Sequence, residues 1–118
     1  RGNCGIGDAG IVQCSNLRSL DASDNSKITS VNHLVQLEIL NATDSCGIGN
    51  TGIVQCTNLR SLNASYNSKI TSVNHLVQLE TLNAYLRCGI GDAGIVQCTN
   101  LHSLYASNNL KIIKKLIK

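Results

Sequence analysis

The stretch CGIGDAGIVQCSNLRSLDASDNSKITSVNHLVQLEILNATDS, residues 4–45, decides the fold because the chain repeats it. Residues 46–87 align with it without a gap and differ at only nine positions. A third copy starts at Cys88 and runs to about Lys111. Each block holds two LxxLxA phrases, and five occur in all: Leu17-Leu20-Ala22, Leu37-Leu40-Ala42, Leu59-Leu62-Ala64, Leu79-Leu82-Ala84 and Leu101-Leu104-Ala106. They are spaced alternately 20 and 22 residues apart. A unit of that size cannot bury a core alone, but stacked units bury one between them.

Residues one, four and six of each phrase do not share one face of a long strand. They all point inward if a short strand spans positions three to five and the chain curves at both ends. Each coil then buries Leu, Leu and Ala, together with Ile28, Ile48, Ile70, Ile90 or Ile112 further along. Stacked strands lie parallel, ~4.8 Å apart. Asn25, Asn67 and Asn109 follow the strands of the odd coils. A buried Asn there can bond strand-exit backbone groups that otherwise lack partners. In the even coils Cys4, Cys46 or Cys88 takes that slot one residue later, which predicts a small bulge.

These phrases, on this period, resemble the leucine-rich-repeat family along nearly the whole chain. The 20-residue coil LRSLDASDNSKITSVNHLVQ is similar to the short class of repeat, and the 22-residue coil LEILNATDSCGIGNTGIVQCTN to the cysteine-containing class. Such near-identical tandem arrays also resemble repeat proteins of amoebae and their large DNA viruses. Ala stands where the family pattern has its third Leu, which thins the core beneath each strand. The resemblance implies an α/β solenoid of about five stacked coils, with a short parallel sheet on the concave face. The array spans residues 1–110, and residues 111–118 form a cationic amphipathic cap over the last coil.

Composition agrees with one aliphatic domain. The 118 residues include no Pro, Met, Trp or Phe, yet 42% are hydrophobic. That excludes a disordered chain. No apolar run approaches the ~20 residues of a membrane-spanning helix. Arg1 in place of Met leads us to expect a processed product or a piece of something longer. The net charge of +3 is concentrated at one end, because Lys111, Lys114, Lys115 and Lys118 close the chain. The other 110 residues carry −1, so nothing points to a nucleic-acid surface. The tail stripe of Ile112, Ile113, Leu116 and Ile117 is too short to bind a membrane strongly.

Several motifs dissolve into the repeat. GIGDAG and GIGNTG match a dinucleotide fingerprint, but a 22-residue coil has no room for the ~30-residue unit that motif needs. They read instead as tight convex turns. Cys4, Cys14, Cys46, Cys56, Cys88 and Cys98 recur in columns two coils, ~10 Å, apart. Column disulfides, which need Cα atoms within ~7 Å, are therefore excluded. Pairing within a coil, as between Cys46 and Cys56, stays open beside the expectation of buried free thiols. Free thiols lead us to expect an intracellular, reducing location, with a virion-associated one as the variant. Metal binding is not expected, for His33 and His75 follow the period and no C-x₂-C pair exists. Asp21, Asp24 and Asp44 lack the Gly and distal Glu of a calcium loop. Asn41-Ala-Thr43 and Asn63-Ala-Ser65 match the glycosylation acceptor pattern, which is short enough to arise by chance. No catalytic grouping stands outside the periodic positions, so neither an enzyme nor a cofactor is expected.

Variation between the blocks points elsewhere. Six of the nine differences between the first two blocks fall at positions two to nine of the coil, on the strand and its exit. His102, Tyr105 and Asn108 vary there again in the third block. Tyr66, Tyr85 and Tyr105, all the aromatic residues of the chain, lie in the same zone. Tyrosine on a rigid sheet gives contact area at small entropic cost. The sequence therefore leads us to expect a non-catalytic module that binds another protein through its concave face. Tyr66, Tyr85 and Tyr105 would be anchors, and Arg60, Arg87, Asn63, Asn83 and His102 their polar surround. The alternative is a structural assembly subunit that stacks end to end or decorates a larger particle. An open strand edge and a charge of −3 on residues 4–45 against +2 on residues 46–87 favour it.

Overall fold

The computed structural model describes residues 15–44 and 46–112. Five three-residue strands, β1 (Ser19–Asp21), β2 (Ile39–Asn41), β3 (Ser61–Asn63), β4 (Thr81–Asn83) and β5 (Ser103–Tyr105), form one sheet. It is wholly parallel, in the order β1-β2-β3-β4-β5, with no shift of register: Leu20, Leu40, Leu62 and Leu82 each pair with the next, ending at Leu104. The strands fall on positions three to five of each phrase. Among the described residues each strand contacts only the strands next to it, so the coils form a linear stack. From β1 to β5 there are four complete coils, and the coil after β5 is described as far as Ile112. The count of complete coils is accordingly four rather than five.

The α half of the expected α/β class is absent from the described residues. Only two short 3₁₀ turns occur, Asn50–Ile53 and Asp92–Gly94. The reason lies in the period of the return segments. Apolar residues recur every third position at Val31-Leu34-Leu37, Ile53-Cys56-Leu59, Val73-Leu76-Leu79 and Ile95-Cys98-Leu101. Each N–H bonds the carbonyl three residues back, as Leu34 to Val31 at 2.9 Å and Leu59 to Cys56 at 3.2 Å. A three-residue period puts all these side chains on one edge, whereas an α-helix would rotate them away. The segments are β-solenoid returns, not helices.

Packing follows from the stack. Leu37, Leu40, Leu59, Leu62, Leu79 and Leu82 are sealed from water, with Ala42, Ala64 and Ala84 beneath the strands and Ile48, Ile70 and Ile90 opposite. Each such Leu contributes about 1.5–3 kcal/mol of hydrophobic stabilisation. Ile112 is buried in the same Ile column. Of the cap expected at residues 111–118, residues 113–118 lie outside the described residues.

Close approach between coils explains the glycine motif. A Cβ on Gly47 would lie 2.6 Å from the Ser26 carbonyl oxygen and 2.7 Å from that of Ile28, and one on Gly52 would strike the Thr29 carbonyl. Gly89 and Gly94 repeat both contacts one block on. The GIGxxG phrase therefore serves the coil-to-coil contact as much as the turn that contains it.

Candidate functional site

The sheet carries two outward-facing columns, at positions three and five, while at position seven Ser23, Thr43 and Ser65 are buried. The column at position five is Asp21, Asn41, Asn63, Asn83 and Tyr105, paired strand to strand. Asn41 and Asn63 each accept a hydrogen bond from the backbone N–H two residues on, at 3.2 and 3.1 Å. Asp21 does the same for Ser23 and also takes its hydroxyl, at 2.6 Å. The acidic and amide groups of this face are thus held against their own strand exits. Tyr105 breaks the column with a ring that is 49% exposed.

Beside the strands runs a row of charges at position two: Arg18, Glu38, Arg60, Glu80 and His102. Arg18 pairs with Glu38 at 3.0 Å and Arg60 with Glu80 at 3.4 Å, and His102 Nε2 lies 3.9 Å from the other Glu80 oxygen. Two of the expected site residues, Arg60 and His102, are therefore brought together by Glu80, which the sequence reading passed over. These exposed pairs contribute little to stability. They fix the direction of the side chains along the rim of the sheet.

The strand exits form the other rim. One residue in each coil takes a positive φ there: Asp24, Asp44, Tyr66, Arg87 and Asn108, at 58–64°. Asp and Asn tolerate this conformation, but a Tyr or Arg side chain is rare in it. In the fourth coil the left-handed residue arrives one position late, and the Tyr66 N–H reaches both Tyr85 and Leu86 carbonyls, at 3.3 and 3.1 Å. The Cys-for-Asn offset predicts such a bulge in both even coils; the fourth has it, whereas in the second the left-handed Asp44 keeps the position it has in the odd coils. The bulge ties the backbones of Tyr66 and Tyr85 together. Tyr66 is 46% exposed and Tyr85 is half-buried; Leu86, at 38%, adds apolar surface between them. The structure thus gathers the expected site residues into three places. Asn63, Asn83 and Tyr105 sit on adjacent strands, Arg60 and His102 on the near rim, and Tyr66, Tyr85 and Arg87 on the far rim. Ile39, half-exposed on β2, and Leu86 were missed. A burial pattern cannot be read from a LxxLxA phrase that places both on variable positions.

The asparagine slot behind this rim is buried as expected. The Asn67 amide donates to the Ala42 and Ile48 carbonyls at 2.8 and 3.0 Å and accepts from the Lys69 N–H at 2.9 Å. Asn109 repeats the set toward Ala84, Ile90 and Lys111. Cys46 and Cys88 fill the slot in the other coils and are fully buried there. Cys56 and Cys98 donate to the Val31 and Val73 carbonyls at 3.2 and 3.1 Å. All four are free, so Cys46 and Cys56 do not pair within their coil. Burial pushes each thiol up from its ordinary 9.0, and Cys56 to about 11. Such thiols are poor nucleophiles. Cys4 and Cys14 lie outside the described residues. Among the described residues no three His, Cys, Asp or Glu side chains converge as metal ligands, and no helix is long and apolar enough to cross a membrane.

On the return segments Val35, Val54, Val77 and Val96 are each about half exposed. They are unvaried between blocks, unlike the sheet and its exits.

No protein-family model matches the chain, and no curated protein matches its sequence. Solved structures do match in shape. An internalin (InlF) from Listeria monocytogenes superposes with a TM-score of 0.68 at 22% identity, over 91% of this chain and 33% of that one. The functional domain of InlJ from Listeria monocytogenes, described as including a cysteine ladder, gives 0.65 at 24% identity, over 95% of this chain and 25% of that one. Internalin C2 from Listeria monocytogenes gives 0.63 at 22% identity, over 88% and 50%. Internalins are leucine-rich-repeat proteins, and the fold of this chain is of that type. The chain spans a quarter to a half of the length of these structures.

Proposed function

We propose that this chain is a non-catalytic protein-binding module whose sheet face and strand exits recognise a partner protein. One observation carries the reading: the sealed Leu and Ala ladder is constant between blocks, while the exposed positions beside it change and acquire Tyr66, Tyr85 and Tyr105. A face that only had to stay soluble would gain nothing from aromatic rings among Ser, Thr and Asn. The Asn63, Asn83 and Tyr105 column would form the middle of the contact, and Arg60, His102 and Arg87 its rims. Protein interaction is also in keeping with the internalin-type fold. The reading keeps the array at residues 1–110 with its cap at 111–118, alternating short and cysteine-bearing coils, and the likeness to amoebal and viral arrays. It keeps an intracellular or virion-associated location, which rests on the free thiols. No nucleic acid, membrane or cofactor enters it.

A second reading is a structural subunit that stacks end to end. The charge of −3 on residues 4–45 against +2 on residues 46–87 favours it.

The test begins with a partner captured from a displayed protein library. Its affinity is then measured for Tyr66→Ala, Tyr85→Ala, Tyr105→Ala and Gln55→Ala. An anchor truncation costs about 2 kcal/mol or more, so the tyrosine variants should bind well over tenfold more weakly. Gln55→Ala, on the return side, should bind as wild type does. Equal affinity for all four would remove the sheet-face site and leave the stacking reading.

A further inference from the structure

The five left-handed residues form one row across the strand exits, one per coil: Asp24, Asp44, Tyr66, Arg87 and Asn108. All five are exposed. Backbone bonds lock the coils together along this row, from the Asp24 N–H to Thr43 at 3.4 Å, from Asp44 to Ser65 at 3.2 Å and from Leu86 to Ser107 at 3.2 Å. The row is therefore a rigid ledge, with steps of ~4.8 Å and a length of ~19 Å. Its order is acid, acid, aromatic, base, amide. Tyr66 stands at the middle, with Asp44 one coil to one side and Arg87 one coil to the other. Among the described residues Asp24, Asp44 and Arg87 enter no ion pair. Lys27, Lys69 and Lys111 occupy one and the same position of the first, third and fifth coils, so they favour neither end of the row.

We propose that this ledge is a self-complementary contact for a second copy of this chain. An isologous contact brings a surface against itself about a two-fold axis. With the axis at Tyr66, the two ledges run antiparallel and the second coil of one copy faces the fourth coil of the other. Asp44 meets the second copy's Arg87, and Arg87 meets its Asp44. Asp24 meets the uncharged Asn108. Tyr66 meets its own counterpart, and Leu86 adds apolar area at the centre. A parallel arrangement would instead set Asp44 on Asp44 and Arg87 on Arg87. The charge asymmetry between the first and second blocks thus has a use: it makes one orientation attractive and the other repulsive. The ledge is narrow, so the dimer is weak, dependent on concentration and sensitive to salt. Tyr66 and Arg87 also belong to the proposed partner surface. Dimerisation would compete for them and leave the Tyr105, Asn83 and Asn63 column open.

Sedimentation velocity on the intact chain, over a wide concentration range at low and high salt, tests this without any partner protein. Its failure is therefore separate from failure of the binding reading. The expected result is a monomer–dimer equilibrium that weakens with salt. Asp44→Arg alone and Arg87→Asp alone should each weaken the dimer about tenfold or more. Combining them recreates the pair with reversed sign and should restore it. Tyr66→Asn should weaken the dimer while raising the urea midpoint, which a residue serving only the fold would not do. Circular dichroism checks that each variant keeps its fold. The proposal is overturned if the wild type stays monomeric throughout, if the single charge variants dimerise as it does, or if association runs past the dimer.

Discussion

Tyr66 holds a backbone conformation that the same position gives to Asp24 and Asp44 in the first block and to Asn108 in the third. A Cβ-bearing residue other than Asn or Asp is disfavoured there by roughly 1 kcal/mol. Tyr66→Asn should therefore stabilise the fold by about 0.5–1 kcal/mol, read as a higher urea midpoint. That a destabilising residue stands where its neighbours show a cheaper one is what links Tyr66 to recognition rather than to folding. The buried thiols make a second prediction at this scale. Cys56 has a pKa of about 11 in the fold against an ordinary 9.0. The unfolded chain then releases that proton first, so the stabilisation is complete below pH 9 and is lost as the pH rises toward 11. The urea midpoint should stay level from neutral pH to pH 9 and then fall. At the end of that range Cys56 alone accounts for roughly 3 kcal/mol. A Cys56→Ala variant should show a shallower alkaline slope, though a lower plateau.

The asparagine slot shows how one coil is fastened to the previous one. Asn67 satisfies the carbonyls of Ala42 and Ile48, 25 and 19 positions earlier, in a place that water does not reach. Asn67→Ala removes the donor and strands both acceptors, together with the Lys69 N–H. The expected loss is about 2–4 kcal/mol, measured by urea unfolding against Asn58→Ala. Asn58 bonds the Val35 carbonyl on the exposed side, where water can replace it, and its loss should cost under about 1 kcal/mol. The sequence marks Asn67 as a strand-exit residue by its recurrence, but its partners are invisible because they lie in another coil. The GIGxxG phrase has the same history. Read locally it is a turn; in the stack, Gly47 and Gly52 are the places where a neighbouring backbone leaves no room for a Cβ.

In the whole molecule, stability is a sum of coils and the interfaces between nearest neighbours. Leu62 and Leu20 occupy the same position of the phrase, yet Leu62 is sealed between two coils and Leu20 is half-covered. Leu62→Ala should therefore cost about 3–4 kcal/mol and Leu20→Ala about half as much, in paired urea titrations. Equal costs would mean that Leu20 is packed as fully as Leu62. The same linear design separates the labour of the surfaces. The return side repeats its valines unchanged, the sheet and its exits vary, and the ledge carries Asp24 and Asp44 on one side of Tyr66 and Arg87 on the other.

The sequence alone determined the solenoid, the parallel order, the position of each strand and the residues of the Leu, Ala and Ile columns. It could do so because each follows from a period, and a period needs no knowledge of neighbours. It also placed the variable positions and the three tyrosines on the strand side, and its one-residue offset between Asn and Cys anticipated the bulge of the fourth coil but not the regular exit of the second. Tertiary structure decided the rest. The return segments are three-residue turns and not helices, because all their apolar side chains must reach a single edge of a narrow stack. Glu80 joins Arg60 to His102, and Asn67 reaches Ala42, because stacking brings residues about twenty positions apart to within hydrogen-bond distance. The left-handed row exists only once every coil has to leave its strand at the same angle. Those features are properties of the contact between coils, and a one-dimensional pattern does not carry the direction in which one coil meets the next.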